Sequence, residues 1–315
     1  MTEAGTQARP RWYDLPAPVR VEAEHRFEAA VTDEWPQTGG YTPGVASRLE
    51  LSDGRRVFLK AIPARHRLVG TYRNEAAVAA CLPIGVPAPH LWWSADIDGW
   101  WLAVFDDIDG GHPDVSPGSV QLPAVLATVA ALDAMLTPCP HPTAPLVAAE
   151  FGPLFTGWRT LAEQPTAGLD AWSATHLDEL DNLESQCLEA MAGDTLLHTD
   201  LRPDNLMIGH DDGQVLVIDW AWPARGAAWV DVAFLVPQLI LAGHTPQAAQ
   251  EAVSEVPAWR AADPDAVTSF AAALTGLWES AWRTDTNPGL LDYHRHAARA
   301  GQAWTAHRTG WHTPS

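Results

Sequence analysis

The sequence predicts an α+β protein of two lobes. Residues 1–107 form a first lobe of antiparallel sheet plus helix, and residues 108–315 a larger, mostly helical second lobe. Three observations predict this. A chain of 315 residues is long enough to bury two cores. Two Asp-Gly dipeptides, Asp53-Gly54 and Asp98-Gly99, each sit between strand-like runs in the first lobe, a strong hairpin signal because glycine accepts the positive φ of a tight turn. Further along, residues with helical periodicity alternate with proline-marked breaks.

In chain order, residues 1–15 read as a loose arm, and residues 18–30 as a short surface helix with apolar Val19, Val21, Ala23, Phe27 and Ala30. A glycine-rich run follows, Thr38-Gly39-Gly40-Tyr41-Thr42-Pro43-Gly44-Val45. Alone it is an ordinary turn signal. Its place one hairpin before Lys60 gives Gly39, Gly40 and Gly44 a second reading, as backbone that comes close to phosphates. Arg48-Leu49-Glu50-Leu51 and Arg55-Arg56-Val57-Phe58-Leu59-Lys60-Ala61-Ile62 are the strands of the first hairpin. Lys60 is the only lysine; the other eighteen of the nineteen Lys and Arg side chains are arginine. A chain that uses the planar guanidinium everywhere else keeps a compact ammonium here, which suits the α- and β-phosphates of a nucleotide.

Residues 73–82 read as a helix ended by Pro83, with Glu75 placed to turn inward and orient Lys60. Residues 90–95 and 100–105 form the second hairpin, and Val104-Phe105-Asp106-Asp107-Ile108 leads to Gly110-Gly111, where a hinge between lobes would lie. Backbone groups of Phe105, Asp106 and Ile108 would meet the nucleotide base there. In the second lobe, residues 122–136, 155–161 and 174–191 read as helices, with a proline-rich connector at 137–145. Thr245-Pro246 and Asp263-Pro264 are helix starts, and Asn287-Pro288-Gly289 opens a last helix through Tyr293, Ala297 and Trp304.

The densest chemistry is His198-Thr199-Asp200-Leu201-Arg202-Pro203-Asp204-Asn205, followed by Ile218-Asp219-Trp220. An Asp and an Asn five residues apart, then an Asp closing an apolar run, is the spacing that sets one base and two Mg²⁺ ligands around a triphosphate.

Composition narrows the function. A net charge of −20 excludes a basic stripe of the kind that neutralises nucleic-acid phosphates. It would focus a cationic substrate, though an acidic composition that keeps the protein soluble accounts for it as well. Cys81, Cys139 and Cys187 lack metal or CxxC spacing, as expected of a reduced cytoplasmic protein. No secretory leader is read at the start. The most apolar run, 232–242, contains Pro237 and is too short to cross a bilayer, so no membrane partner is expected.

The order of glycine-rich hairpin, Lys60, Glu75, hinge, HTDLRPDN at 198–205 and IDW at 218–220 resembles the aminoglycoside phosphotransferase and choline kinase-like family, within the protein-kinase-like fold. The resemblance spans roughly residues 35–310 and includes the stretch 226–233 after the second Asp. It implies Asp200 as catalytic base, Asn205 and Asp219 as Mg²⁺ ligands, and Lys60 oriented by Glu75 on the phosphates. Arg202 stands near the place of a lysine that meets the γ-phosphate in protein kinases; a loop-stabilising ion pair is the equal alternative. His198 reads as a buttress and Asp231 as a structural tie of the loop. Asp219-Trp220-Ala221 replaces the kinase DFG triplet, and no activation segment follows, which counts against a protein substrate.

The resemblance implies transfer of the γ-phosphoryl of ATP or GTP to a hydroxyl of a small molecule. An antibiotic is the first reading of the acceptor and a choline, amino-alcohol or sugar metabolite the second. A nucleotide-binding pseudokinase is the reading from another class. Among the sixteen tryptophans, Trp220, Trp222, Trp229, Trp278, Trp282 and Trp304 are open to acceptor stacking or to core packing. Asp263, Asp265, Glu279, Asp285 and Asp292 would meet a polyamine or form a solvated face. Neither the acceptor nor the oligomeric state is readable.

Overall fold

The computed structural model describes residues 9–37, 43–163, 168–285 and 288–311. In chain order the elements are α1 (Ala17–Phe27), β1 (Val31–Pro36), β2 (Val45–Leu51), β3 (Arg56–Pro63), α2 (Val69–Cys81), β4 (Leu91–Ile97), β5 (Trp100–Asp106), β6 (Gly110–Gly111), α3 (Leu122–Met135), α4 (Val147–Phe151), α5 (Gly157–Glu163), α6 (Ala171–Thr175) and α7 (Leu177–Ala190). Then follow β7 (Thr195–Leu197), β8 (Leu206–Gly209), β9 (Val215–Val217), β10 (Ala224–Gly226), α8 (Trp229–Leu241), α9 (Pro246–Val253), α10 (Pro257–Ala261), α11 (Pro264–Thr284) and α12 (Pro288–Thr309). The chain divides into two compact units, Met1–Gly111 with Met207–Trp222, and His112–Leu206 with Pro223–Ser315. Residues 207–222, expected in the second lobe, thus belong to the first unit.

The first unit is built on an antiparallel sheet of order β1-β2-β3-β5-β4. Alternation along β3 sends Val57, Leu59 and Ala61 to one face, where they join Trp12, Leu15, Val19, Ala23 and Phe27 in one core. Val19, Ala23 and Phe27 recur every four residues and form the buried stripe of α1. On the other face Phe58 packs with Ala76 of α2 and with Ala103 and Phe105 of β5. The second hairpin turns at Asp98 and Gly99 with φ of 46° and 79°, the paired positive values of a two-residue turn that follows the strand twist.

Residues 9–15 correct the loose-arm expectation. Trp12 is 1 % exposed, and its N–H donates to Glu34 Oε1 at 2.6 Å. A short helical turn at Trp12–Asp14 thereby lays the arm onto the sheet core. Strand β1, which has little apolar alternation, was not read from sequence.

The second unit is helical around α11, which packs against α5, α7 and α12. Phe270, fully buried on α11, meets the rings of Phe155, Trp229, Phe234 and Trp304 at centroid distances of 5.0 to 6.5 Å. Asp263 and Thr245 cap their helices as expected, accepting from the Asp265 and Ala248 N–H groups. The helix expected over 174–191 is two helices, α6 and α7, broken at His176. No helix among the described residues is long and apolar enough to cross a membrane.

Candidate active site

In the first unit Lys60, Glu75 and Asp219, expected around phosphates, meet. β3 pairs Lys60 with Ala46 on β2 and with Ala103 on β5. These small neighbours leave room beside the long lysine stem. α2 turns Thr71, Tyr72, Glu75, Ala76 and Val78 inward, and this brings a carboxylate to the strand. Lys60 Nζ donates to Glu75 Oε1 and Oε2 at 2.7 and 2.8 Å and to Asp219 Oδ1 at 3.0 Å. Burial alone would depress the Lys60 ammonium, but the Asp219 and Glu75 carboxylates outweigh it and hold it above its usual range. Burial pushes the Glu75 carboxyl up to about 7, against the pull of Lys60.

The two carboxylates differ in access: Glu75 is 8 % exposed and Asp219 47 %. Glu75 is a buried anchor, whereas Asp219 is half-exposed. Its backbone φ of 63° is unusual for a non-glycine residue, and its carbonyl accepts the Ala221 N–H at 2.8 Å.

The glycine and hinge expectations fare differently. Gly39 and Gly40 lie outside the described residues. Gly44 is required by close packing within the sheet: a Cβ there would stand 2.5 Å from the Ala61 carbonyl oxygen and collide with the Tyr72 hydroxyl. At the hinge, the Asp106 N–H donates to the His90 carbonyl at 3.0 Å, and the Ile108 carbonyl accepts from Arg48. Phe105 is a buried core residue paired with Phe58 and Leu91. The Asp106 N–H and the Ile108 carbonyl are thus engaged within the unit.

In the second unit the residues of the 198–205 stretch gather around Asp200. Asn205, buried at the end of a short helical turn, donates through Nδ2 to the Asp200 carbonyl at 2.7 Å and to Oδ2 at 3.1 Å. This fixes the amide orientation and leaves Oδ1 as the atom that would meet a cation. Arg202 Nε lies 3.2 Å from Asp200 Oδ1, and its Nη2 lies 3.1 Å from Asp204 Oδ2. The guanidinium is thus engaged with the loop's own carboxylates.

His198 is fully buried, and its Nδ1 accepts the Asp200 N–H at 3.3 Å, the buttress its position suggested. Asp231, at the start of α8, accepts the N–H groups of His198 and Thr199 at 2.7 and 2.8 Å. Burial pushes Asp231 upward against the pull of His198 and those two amides.

Sequence reasoning missed two residues here. Tyr293 of α12 lies with its ring 5.2 Å from the Arg202 guanidinium, and the buried Gln238 of α8 donates to its hydroxyl at 3.1 Å. A lone tyrosine on a helix carries no sequence signal of that contact.

The tryptophans and carboxylates weighed for an acceptor are mostly committed. Trp220, Trp229, Trp278 and Trp304 are buried, while Trp222 is 52 % exposed. Glu279 is buried and held by Arg283 at 2.8 Å and by Trp282 Nε1 at 3.0 Å. Asp285 lies 3.5 Å from His294 Nδ1, and Asp263 caps α11.

The sequence model of the phosphotransferase enzyme family matches residues 38–308. No curated protein sequence is a significant match. Solved structures are similar in fold at low identity. An aminoglycoside phosphotransferase from Alicyclobacillus acidocaldarius is 16 % identical, with a TM-score of 0.59 over 94 % of this chain and 97 % of its own. An aminoglycoside phosphotransferase from Streptomyces rimosus is 19 % identical, with a TM-score of 0.53 over 82 % and 97 %. A chain assigned as a fructosamine-3-kinase from Thermobifida fusca is 22 % identical, with a TM-score of 0.51 over 89 % and 98 %. They share the protein-kinase-like fold, with its antiparallel sheet and its larger helical part. The chain belongs to the phosphotransferase enzyme family, as a small-molecule kinase.

Proposed function

We propose that this kinase moves the γ-phosphoryl group of ATP or GTP, as its Mg²⁺ complex, to a hydroxyl of a small molecule, with an antibiotic as the first acceptor class. The observation that carries the reading is the placement of the only lysine, bidentate on a buried glutamate and shared with a half-exposed aspartate. That arrangement keeps one cation fixed and charged where phosphate oxygens need it.

The donor set suits Mg²⁺. Among the described residues no three His, Cys, Asp or Glu side chains form a dedicated metal cage. Mg²⁺ is commonly held by one or two carboxylates plus substrate phosphates. Asp219 and the Asn205 amide oxygen are the proposed ligands. A bound Mg²⁺ would neutralise charge on the phosphates.

The other steps belong to the chain's own residues. Lys60 binds phosphate oxygens and Glu75 keeps its ammonium in place. Asp200, half-exposed and fixed by Asn205, orients the acceptor hydroxyl and takes its proton as the new P–O bond forms and the bond to the β-phosphate oxygen breaks. Asp231 and His198 hold the backbone that carries it.

Support for the acceptor class comes from what similar structures hold. One is a GDP and kanamycin complex, another an ADP and streptomycin complex, and a third an amicoumacin kinase with AMP-PNP and Ca²⁺. A metabolic hydroxyl compound is the second reading. It is favoured by the internal pairing of Glu279 with Arg283, since that carboxylate is one a polycationic antibiotic would otherwise meet. The test is phosphate transfer from magnesium-ATP and magnesium-GTP to a panel of aminoglycosides, macrolides, nucleoside antibiotics, choline, amino-alcohols and sugars. Asp200→Ala should abolish transfer while nucleotide binding survives, and Asp219→Ala should weaken magnesium-dependent nucleotide binding in calorimetry. Normal turnover in Asp200→Ala would sink the assignment, and a wild type that binds nucleotide without hydrolysis or transfer would point to a pseudokinase.

A further inference from the structure

We propose that Tyr293 is a positioning residue for phosphoryl transfer, holding Arg202 against the Asp200 carboxylate from the side of α12. The inference rests on Asp200 as catalytic base and extends it to a residue outside every motif in the sequence.

Arginine has a long, flexible side chain, and Arg202 has two carboxylates to choose from. Asp200 Oδ1 lies 3.2 Å from its Nε and Asp204 Oδ2 3.1 Å from its Nη2. Asp204 is 57 % exposed and Asp200 37 % exposed, so neither carboxylate is itself held by burial. A guanidinium resting on two solvated carboxylates alone would exchange between them, and Asp200 would lose its partner for part of the time.

Tyr293 removes that freedom. Its ring lies 5.2 Å from the Arg202 Cζ, within the range in which the ring face attracts a guanidinium. The tyrosine is in turn fixed, because Gln238 Nε2 donates to its phenol oxygen at 3.1 Å and Gln238 is only 6 % exposed. The Arg202 side chain is left 16 % exposed. A line of contacts thus runs from α8 through α12 to the catalytic loop and ends on the Asp200 carboxylate.

The consequence concerns geometry at the base. A carboxylate that must meet an acceptor hydroxyl works only within a small range of positions. Asn205 fixes Oδ2 through a 3.1 Å hydrogen bond, and the Arg202 guanidinium attracts Oδ1 as an ion pair with its Nε at 3.2 Å. Tyr293 makes the second restraint permanent. Its effect therefore falls on the rate of transfer rather than on nucleotide affinity.

The test is a double-mutant cycle on Arg202→Met and Tyr293→Leu, with Tyr293→Phe as the conservative variant. Turnover of magnesium-ATP and magnesium-GTP is followed with the panel acceptor that is phosphorylated, or to water where none is. Tyr293→Leu should lower kcat by about 10-fold to 100-fold, as misplacement of a reacting group does, with nucleotide KM little changed. Tyr293→Phe, which keeps the ring over Arg202, should restore most of that rate. In the Arg202→Met background, Tyr293→Leu should cost less than about twofold, because the group it positions is gone.

Multiplicative effects of the two substitutions would overturn the inference, as would a kcat loss that Tyr293→Phe shares in full. Should Tyr293→Leu fail to fold, Tyr293→Met, which also removes the ring while keeping most of its volume, completes the same cycle with Arg202→Met. Asp200→Ala separates the two readings. An active Asp200→Ala removes the base itself and this inference with it. An inactive one beside multiplicative effects removes the inference alone.

Discussion

Thr199 adopts a left-handed backbone, φ 63°, and Asp231 Oδ1 accepts its N–H at 2.8 Å. A β-branched residue in that region is strained, and such strain persists only where surrounding contacts over-determine it. Asp231 supplies those contacts, its other oxygen accepting the His198 N–H at 2.7 Å. The bend between β7 and Asp200 therefore depends on a carboxylate that stands outside the 198–205 stretch. Asp231→Ala removes two hydrogen bonds to a charged acceptor and should destabilise the protein by about 2–4 kcal/mol, with loss of phosphoryl transfer. Thr199→Gly relieves the strain and should stay within about 1 kcal/mol of the parent. Urea unfolding of both variants checks the pair, and equal destabilisation would argue against Asp231 as the restraint.

The Lys60–Glu75 pair separates stability from binding. Lys60→Met leaves the buried Glu75 carboxylate without its cation and should cost about 3–5 kcal/mol, the range for breaking a buried pair from one side. Adding Glu75→Gln removes the stranded charge and should recover much of that stability. It should not recover nucleotide affinity, because the cation proposed to meet the phosphates is still missing. Denaturant midpoints and nucleotide titration calorimetry on the two variants read the two quantities independently. Recovery of affinity in the double variant would show that Lys60 serves only the fold.

Asp133 on α3 gives a pH dependence. Burial, with a further push from Asp231, raises its carboxyl to about 8 from an ordinary 3.8, and Oδ2 has no hydrogen-bond partner. The folded state holds this proton more tightly than the unfolded state. The unfolded chain therefore loses its proton first as pH rises, and stability falls between about pH 4 and pH 8. The contribution is fully present below the unfolded value and is lost as pH passes through the folded one. Asp133→Asn keeps a neutral side chain at every pH. Its stability should stay level where the parent's falls, so that its advantage over the parent grows by up to about 1.4 kcal/mol per pH unit between pH 5 and pH 8. Guanidinium unfolding at the two pH values is the measurement, and an equal change at both would remove Asp133 as the cause.

The residues legible in the sequence are those whose chemistry fixes their spacing. Lys60 with Glu75, the stretch 198–205 and Asp219 follow the spacing that the proposed phosphoryl transfer calls for, and within each unit the structure brings Lys60, Glu75 and Asp219, and Asp200 and Asn205, into contact. The two hairpins were legible because Gly54 and Gly99 need positive φ, 84° and 79°. Strands β7 to β10 have three or four residues each, too few to show a period of two. Tyr293 was hidden for a different reason. Its role arises from a contact with Arg202 that helix packing creates, and no local pattern encodes it. Trp12 shows the same limit, because only the sheet beneath it makes it core.

Gly44 offers a decision between two accounts of one residue. Its place in a glycine-rich run ahead of Lys60 suggested backbone that comes close to phosphates. The structure supplies a packing reason instead: a Cβ would stand 2.5 Å from the Ala61 carbonyl oxygen and meet the Tyr72 hydroxyl. The next residue, Val45, is paired with Ala61, so relief would have to come from parting β2 and β3 at their first rung or from moving α2. Both motions disturb the strand that carries Lys60. Gly44→Ala should therefore destabilise the nucleotide-free protein by about 1–3 kcal/mol, the usual cost of overpacking. Tyr72→Phe should relieve part of it by removing the hydroxyl on one side of the clash. If the glycine serves phosphate approach alone, Gly44→Ala would instead leave the melting temperature unchanged without nucleotide and weaken only nucleotide binding. Thermal unfolding of the two single variants and the double variant, with and without magnesium-ATP, distinguishes the accounts.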